Sequence, residues 1–156
     1  MGLGTAQFGS DYGISNESGT VARSEVLEIF RLAVNHQIFL IDTSGSYGNA
    51  EQKVGFFQKN DQFDIVTKIL VNRNCENLRT ACRNQLFESL KNLGVSRVYG
   101  LLLHRASDLF TENGSQILDI LLELQAQKFV DKIGVSIYTA KELDAVASVF
   151  SPDIIQ

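Results

Sequence analysis

The chain has 156 residues, 44% of them hydrophobic and 21% charged, with 12 glycines, one proline and two cysteines. This composition excludes a disordered tail, a disulfide scaffold, a collagen-like repeat and a membrane protein, and the length suits a single domain. The net charge is −4 and the basic residues are scattered, so neither nucleic acid nor a membrane surface is expected as a partner. No signal-peptide pattern opens the chain, and we therefore expect a cytoplasmic protein.

The two cysteines are expected to be free thiols. Cys75 and Cys82 fall on one predicted helix, about 10 Å apart at a rise of 1.5 Å per residue. A disulfide needs Cα atoms within about 7 Å, so the pair cannot be bridged there. No histidine lies near them in the sequence, and a metal site is not expected.

Short apolar runs alternate six times with longer amphipathic stretches. Most of these runs are almost continuously apolar, which is typical of strands covered on both faces. The predicted strands are Leu3–Ala6, Phe39–Asp42, Phe63–Lys68, Val98–His104, Lys132–Ser136 and Asp153–Gln156.

The stretches between the runs carry helix signals. Apolar stripes predict a helix over residues 24–36, a long helix that carries Leu78 to Leu93 and stops at Gly94, and a further helix around Ile117–Leu124. Asn49 with Gln52 predicts an N-cap pair for a short helix through Phe57, and Gly94 is a natural C-cap. Thr139 and Glu142 form a capping box before a last helix.

Repeated strand–helix units predict a parallel sheet with right-handed crossovers, in one of two α/β architectures. Length favours an open doubly wound sheet, because a (β/α)8 TIM barrel usually needs about 250 residues. The motifs favour the barrel. Neither a Gly-x-Gly-x-x-Gly sequence after the first strand nor a Walker A sequence is present, whereas polar residues end successive strands.

Three of these strand ends carry ionisable side chains: Asp42, Lys68 and His104, with Tyr47 five residues after Asp42. Each has an ordinary structural explanation, such as a turn cap for Asp42 or a solvated strand end for Lys68. Together they are hard to explain as coincidence, because charges near a core are costly unless paired.

A chemical role follows for each member of this group. An adjacent ammonium favours the ionised form of a phenol, so Lys68 would activate Tyr47 as a general acid. Asp42 would keep Lys68 charged and in place. A neutral His104 would donate to the oxygen on which charge develops during carbonyl reduction. The group fits proton delivery to a carbonyl oxygen as a hydride reaches the carbon.

The motifs resemble those of the aldo-keto reductase family, in its order and at its approximate spacing. They are Gly4-Thr5-Ala6-Gln7-Phe8-Gly9, Ile41-Asp42-Thr43-Ser44, Tyr47-Gly48-Asn49-Ala50-Glu51, Val66-Thr67-Lys68, Leu102-Leu103-His104-Arg105 and Ile133-Gly134-Val135-Ser136.

The resemblance implies a (β/α)8 barrel and hydride transfer from a nicotinamide cofactor, usually NADPH, to an aldehyde or ketone. Its catalytic tetrad corresponds here to Asp42, Tyr47, Lys68 and His104, with Tyr47 as the proton donor. The implied cofactor-binding residues are Gly4, Thr5, Ala6, Asp42, Ser136 and Gln156.

The chain departs from the family pattern in three places. Ile137 follows Ser136 where many members have Asn, and Arg105 follows His104 where well-known members have Trp. Six strands are predicted where a closed barrel has eight, so residues 1–156 are expected to be one barrel domain truncated after the sixth strand. Two other functions stay open: a nicotinamide-sensing regulatory subunit, and a half-barrel fragment without catalysis.

Overall fold

The computed structural model describes residues 1–14, 16–17, 19–58 and 62–156. Within these residues six parallel strands form one sheet, and helices connect them. The strands are β1 (Gly2–Gly4), β2 (Leu40–Asp42), β3 (Asp64–Ile69), β4 (Val98–Leu103), β5 (Val130–Val135) and β6 (Ile154–Ile155). The helices are α1 (Ala6–Gly9), α2 (Arg23–Asn35), α3 (Ala50–Phe57), α4 (Leu78–Leu93), α5 (Gly114–Ala126) and α6 (Ala140–Ala147), with a 3₁₀ turn at Ala106–Phe110.

The strand order decides between the two predicted architectures. The order in space is β1-β2-β3-β4-β5-β6, the same as along the chain. An open doubly wound sheet reverses direction at a switch point, whereas a (β/α)8 barrel adds each strand beside the last. The chain therefore has the α/β architecture of a (β/α)8 barrel over six strands, as the motifs predicted.

The core lies between the sheet and the helices. Alternate strand residues such as Ile65 and Ile69 point toward the helices and are buried there, while Lys68 points to the other face. On the helix side the largest buried side chains come from α4 and α5: Leu86, Leu93, Ile117, Ile120, Leu121 and Leu124. Backbone pairing of β2, β3 and β4 sets their register, and this register positions the polar residues described below.

Most predicted element ends shift by one or two residues. The first strand stops at Gly4, not Ala6, because the backbone N–H and the hydroxyl of Thr5 both donate to the carbonyl oxygen of Asp42 (3.0 and 2.9 Å). The chain then turns, and Ala6 starts α1. The fifth strand starts two residues early, at Val130, because Val130 pairs with Val98.

The predicted helix caps are confirmed at two positions and wrong at one. Gly94 ends α4 with φ 68°, a left-handed conformation that glycine adopts without strain. The capping box of Thr139 and Glu142 is present. Asn49 occupies the N-cap position of α3, but its side chain makes no cap hydrogen bond, so the predicted pairing with Gln52 is wrong.

The two cysteines do not share a helix. Helix α4 begins at Leu78, where the Asn77 side chain accepts from the N–H of Thr80, so Cys75 lies in the preceding loop. Both thiols are free, as expected. Burial, with Cys75 and Asp108 nearby, raises the pKa of Cys82 to about 11.

We expect one fast-reacting thiol in the native protein. Because the thiolate is the nucleophile, buried Cys82 should stay unlabelled by Ellman's reagent at pH 8, while half-buried Cys75 reacts. A Cys75→Ser variant should lose the fast phase and show one thiol only after unfolding in urea. Fast labelling of that variant would show that Cys82 is accessible.

No helix in the described part of the chain combines the length and the apolar character of a membrane span.

Candidate active site

The tetrad residues meet at the carboxyl-terminal edge of the sheet. Asp42 ends β2, Lys68 lies one residue before the end of β3, and His104 follows β4 directly. The N–H of His104 donates to the carbonyl oxygen of Ile69 (2.9 Å), which aligns the ends of these two strands. Parallel strands in this order bring successive carboxyl ends to one rim. The register thus gathers residues that are 26 and 36 positions apart in sequence.

Tyr47 reaches this rim on a loop that is held by close backbone packing. Gly48 has φ 58°, and a Cβ added there would collide with the backbone of Gly9; a Cβ on Gly9 would collide with the carbonyl of Tyr47. Only residues without side chains allow this approach. The loop is also closed by hydrogen bonds from the Tyr47 N–H to Ser44 (3.0 Å) and from the Ala50 N–H to Tyr47 (3.1 Å).

The ammonium of Lys68 is the centre of the site. Its side chain is 1% exposed, and its Nζ donates to Asp42 Oδ1 (2.7 Å), to the carbonyl oxygen of Thr43 (3.0 Å) and to the hydroxyl of Tyr47 (3.2 Å). An ammonium has three N–H donors, so all three are used. Asp42 is 22% exposed and supplies the matching negative charge.

His104 completes the group beside Tyr47. The two rings meet edge to face, with centroids 6.1 Å apart and an interplanar angle of 74°. Burial lowers the pKa of His104, and Lys68 and Arg105 lower it further, against smaller opposite effects of Asp42 and Asp108. The imidazole is therefore neutral at pH 7 and has one N–H to donate.

This direction of shift predicts a pH dependence. The unfolded imidazole protonates near its ordinary pKa of about 6.5 and the folded one at lower pH, so the unfolded chain binds more protons in between. His104 thus contributes stability that is complete above the unfolded pKa and is lost as the pH falls through the folded one. An NMR titration should show His104 protonating below its ordinary range. In Lys68→Met the pKa of His104 should rise, and an unchanged or lower value would contradict this assignment.

The predicted cofactor-binding residues lie on the same rim at neighbouring strand ends. Gly4 pairs with Asp42 in the register of β1 and β2, and a Cβ added to Gly4 would meet no atom within 4 Å. Ser136 follows β5, and its N–H donates to the carbonyl oxygen of Leu103. Gln156 follows β6, and its N–H donates to the carbonyl oxygen of Val135. Ala6 is half-buried at the start of α1.

The buried Thr5 differs from the other members of this set. Its hydroxyl is occupied by the Asp42 carbonyl, so its side chain fixes the end of β2.

Two further polar contacts support the rim, and the sequence analysis missed both. Buried Asp108 accepts from Arg73 Nε (2.9 Å) and Nη2 (2.6 Å) and from Arg105 Nε (3.4 Å). Arg105 also donates to the carbonyl oxygen of Val71 (3.0 Å). The residue that follows His104 is thus tied to the loop after β3. The spacing of Arg105 and Asp108, three residues apart, was the available signal.

The second missed contact joins α3 to β3. Glu51 is 2% exposed and its Oε1 accepts from the hydroxyl of Thr67 (2.7 Å), the residue before Lys68. This bond anchors the helix that follows the Tyr47 loop to the strand that carries Lys68. No signal in a single sequence separates such a glutamate from a solvated first-turn carboxylate.

No cluster of three or more metal-ligating side chains occurs among the described residues. The four side chains at the rim offer one ion pair with a buried ammonium, one phenol and one neutral imidazole.

Comparison with known proteins assigns the family. The model of the aldo/keto reductase family matches residues 1–156. The chain belongs to the aldo-keto reductase family. This match confirms the resemblance of the motifs. A comparison with curated protein sequences gives no significant match.

Solved structures of aldo-keto reductases have the same fold. A Pseudomonas aeruginosa protein assigned as an aldo-keto reductase superposes with a TM-score of 0.79 at 25% identity, over 99% of this chain and 61% of its own. A Bacillus halodurans aldo-keto reductase gives 0.78 at 15% identity, over 99% and 51%. A Klebsiella pneumoniae aldo-keto reductase in complex with NADPH gives 0.68 at 20%, over 92% and 47%. The chain thus spans about three fifths or less of these proteins.

Proposed function

We propose that this chain carries the catalytic site of an NADP-dependent aldo-keto reductase that converts a small aldehyde or ketone into an alcohol. A bound NADPH would supply the hydride. The catalytic residues of the proposal are Asp42, Tyr47, Lys68 and His104. It concerns the activity of the protein that contains these residues, since the chain spans about 61% of its structural relative from Pseudomonas.

One observation carries the proposal: the direction of the hydrogen bond between Lys68 and Tyr47. The Lys68 ammonium can only donate, so the Tyr47 oxygen is the acceptor in their 3.2 Å contact. The hydroxyl proton of Tyr47 therefore points away from Lys68 and is available to a substrate oxygen. A phenol held in this way is arranged as a general acid.

The remaining members complete the proton transfer. As Tyr47 gives its proton to the carbonyl oxygen, negative charge develops on the phenol oxygen, and the ammonium of Lys68 stabilises it. Asp42, 2.7 Å from Lys68, keeps this ammonium charged and fixed. Neutral His104, beside Tyr47, donates to the same substrate oxygen and orients it.

We propose that the nicotinamide half of the cofactor lies along the strand ends of β1, β5 and β6. The open space over Gly4 next to Asp42 fits the close approach of a flat ring. Ser136 is half-buried and Gln156 is exposed, so both side chains are available to the amide of the nicotinamide. The proposed set is Gly4, Thr5, Ala6, Asp42, Ser136 and Gln156. The preference for NADP is supported by the NADPH complex of the Klebsiella relative, and a cytoplasmic location stays a prediction.

The experiment has a binding part and a turnover part. NADPH is titrated by its fluorescence, and its oxidation is then followed at 340 nm with and without 4-nitrobenzaldehyde. We expect saturable NADPH binding and aldehyde-dependent oxidation. Binding without aldehyde-dependent oxidation would favour a nicotinamide-sensing protein, and absence of binding would favour a fragment without catalysis; either result overturns the proposal.

A further inference from the structure

A chain of hydroxyl groups leads from solvent to the back of His104. Ser44 is 1% exposed, and its Oγ lies 3.5 Å from His104 Nδ1. The same oxygen lies 2.8 Å from Ser46 Oγ and accepts from the Ser46 N–H at 3.2 Å. Ser46 is exposed. None of these serines belongs to the catalytic or cofactor-binding set proposed above.

The position of Ser44 distinguishes the two ring nitrogens of His104. Nδ1 faces Ser44, so Nε2 lies on the opposite side of the ring. A neutral imidazole has one N–H and one acceptor nitrogen. If Nε2 carries the proton, Nδ1 needs a donor, and within the described part of the chain the hydroxyl of Ser44 is the group placed to supply it.

Both serines can be fully bonded in that arrangement. Ser44 has one hydroxyl proton and two lone pairs. It donates to Nδ1 and accepts from the N–H and the hydroxyl of Ser46, whose own oxygen stays open to water. The reverse direction, with a protonated Nδ1 donating to Ser44, would need either a second N–H on the ring or loss of the N–H at Nε2.

The charges around His104 oppose a second proton. Lys68 on β3 and Arg105 after β4 are cations, while Asp42 on β2 and Asp108 in the 3₁₀ turn are anions that the two cations already pair. Tyr47 faces the ring from its loop.

We propose that Ser44 is a positioning residue that donates its hydroxyl proton to Nδ1 of His104, so that Nε2 keeps the proton that it offers to the substrate carbonyl oxygen. This inference rests on the proposed function for the use of Nε2. The protonation pattern itself is a property of the resting protein. Ser44 fixes which nitrogen of the ring acts as donor, and Ser46 orients Ser44.

The test uses ¹⁵N NMR of the histidine rings, which is simple because the chain has two histidines. His36 is exposed, and a His36→Gln variant assigns the signals. In the unmodified protein near pH 7.5 we expect His104 Nε2 to be protonated and Nδ1 to be an unprotonated acceptor. A protonated Nδ1 would overturn the proposal without any serine variant, and without any activity measurement.

The Ser44→Ala variant tests the donor directly. Because a bond donated to Nδ1 stabilises the neutral ring, its loss should raise the pKa of His104 and move the Nδ1 signal toward that of a free acceptor nitrogen. If Ser44 instead accepted from the ring, the pKa would fall. A fall or no change contradicts the proposal. Ser46→Ala should give a smaller shift in the same direction, and Ser96→Ala, at an exposed serine just before the amino-terminal end of β4, should give none.

Kinetics separate this inference from the proposed function. In Ser44→Ala we expect kcat to fall about fivefold, the effect of one neutral hydrogen bond, with NADPH affinity unchanged and the pH profile displaced upward. If the unmodified protein does not reduce aldehydes but shows the expected ring protonation, the proposed function fails and the assignment of Ser44 stands.

Discussion

A Tyr47→Phe variant should lose at least about 100-fold in kcat for aldehyde reduction, because it removes the proton that the proposed reaction delivers to the carbonyl oxygen. The ring of Phe fills the same space beside His104, so the loop and the rim should stay in place. NADPH affinity should change by less than about twofold, since binding does not use the phenol proton in this mechanism. Steady-state kinetics with NADPH and an aldehyde, together with fluorescence titration of NADPH, measure both quantities.

The matched control is Tyr99→Phe. Tyr99 lies near the amino-terminal end of β4, on the opposite edge of the sheet from the tetrad. Removing its hydroxyl should leave kcat unchanged. If both Tyr47→Phe and Tyr99→Phe kept most of their activity, the proton that reaches the carbonyl oxygen would come from another group. The role proposed for Tyr47 would then be wrong.

The second large effect is on stability. An Asp42→Ala variant leaves the Lys68 ammonium, whose side chain is 1% exposed, without its negative partner. Removing one partner of a buried ion pair typically costs about 3–5 kcal/mol of unfolding free energy, because the remaining charge stays desolvated. The neutral acceptors Thr43 and Tyr47 remain, so we expect about 3 kcal/mol, measured by urea denaturation.

A double-mutant cycle makes this prediction specific. Lys68→Met removes the charge, so the Asp42→Ala/Lys68→Met protein should be more stable than Asp42→Ala alone, and the two losses should not add. The control is Asp131→Ala, which breaks the exposed pair of Arg97 and Asp131 and should cost about 1 kcal/mol or less. Additive losses would show that Asp42 and Lys68 act independently.

Much of the fold follows from local patterns in the sequence. Continuous apolar runs fixed the number and order of the strands, since strands buried on both faces leave no other signal. The wrong details have local causes as well. The apolar pattern predicts that Cys75 lies in the helix, whereas the Asn77 side chain accepts from the N–H of Thr80 and starts the helix at Leu78, three residues later. The first strand was extended to Ala6, although the hydrogen bonds of Thr5 to Asp42 end it at Gly4.

The candidate site divides in the same way. Asp42, Tyr47, Lys68 and His104 could be listed from strand ends and family motifs, because ionisable groups at the ends of buried strands are unusual. The residues that hold these four side chains in place could not be predicted from the sequence. The bond from Lys68 to the Thr43 carbonyl, the Glu51–Thr67 contact, the binding of Arg73 by Asp108 and the bond from Arg105 to the Val71 carbonyl join residues 16 to 35 positions apart.

The sequence by itself determined the strand–helix repeat, the family motifs and which four side chains are candidates for the tetrad. These depend on apolar periodicity and on residue types, which are local properties of a chain. Only the tertiary structure decided that the sheet follows barrel order, that Lys68 uses its last donor on the Tyr47 oxygen, and that Ser44 lies behind His104. Each of these depends on strand register and on the direction of a hydrogen bond, and both are set only when distant segments pack against one another.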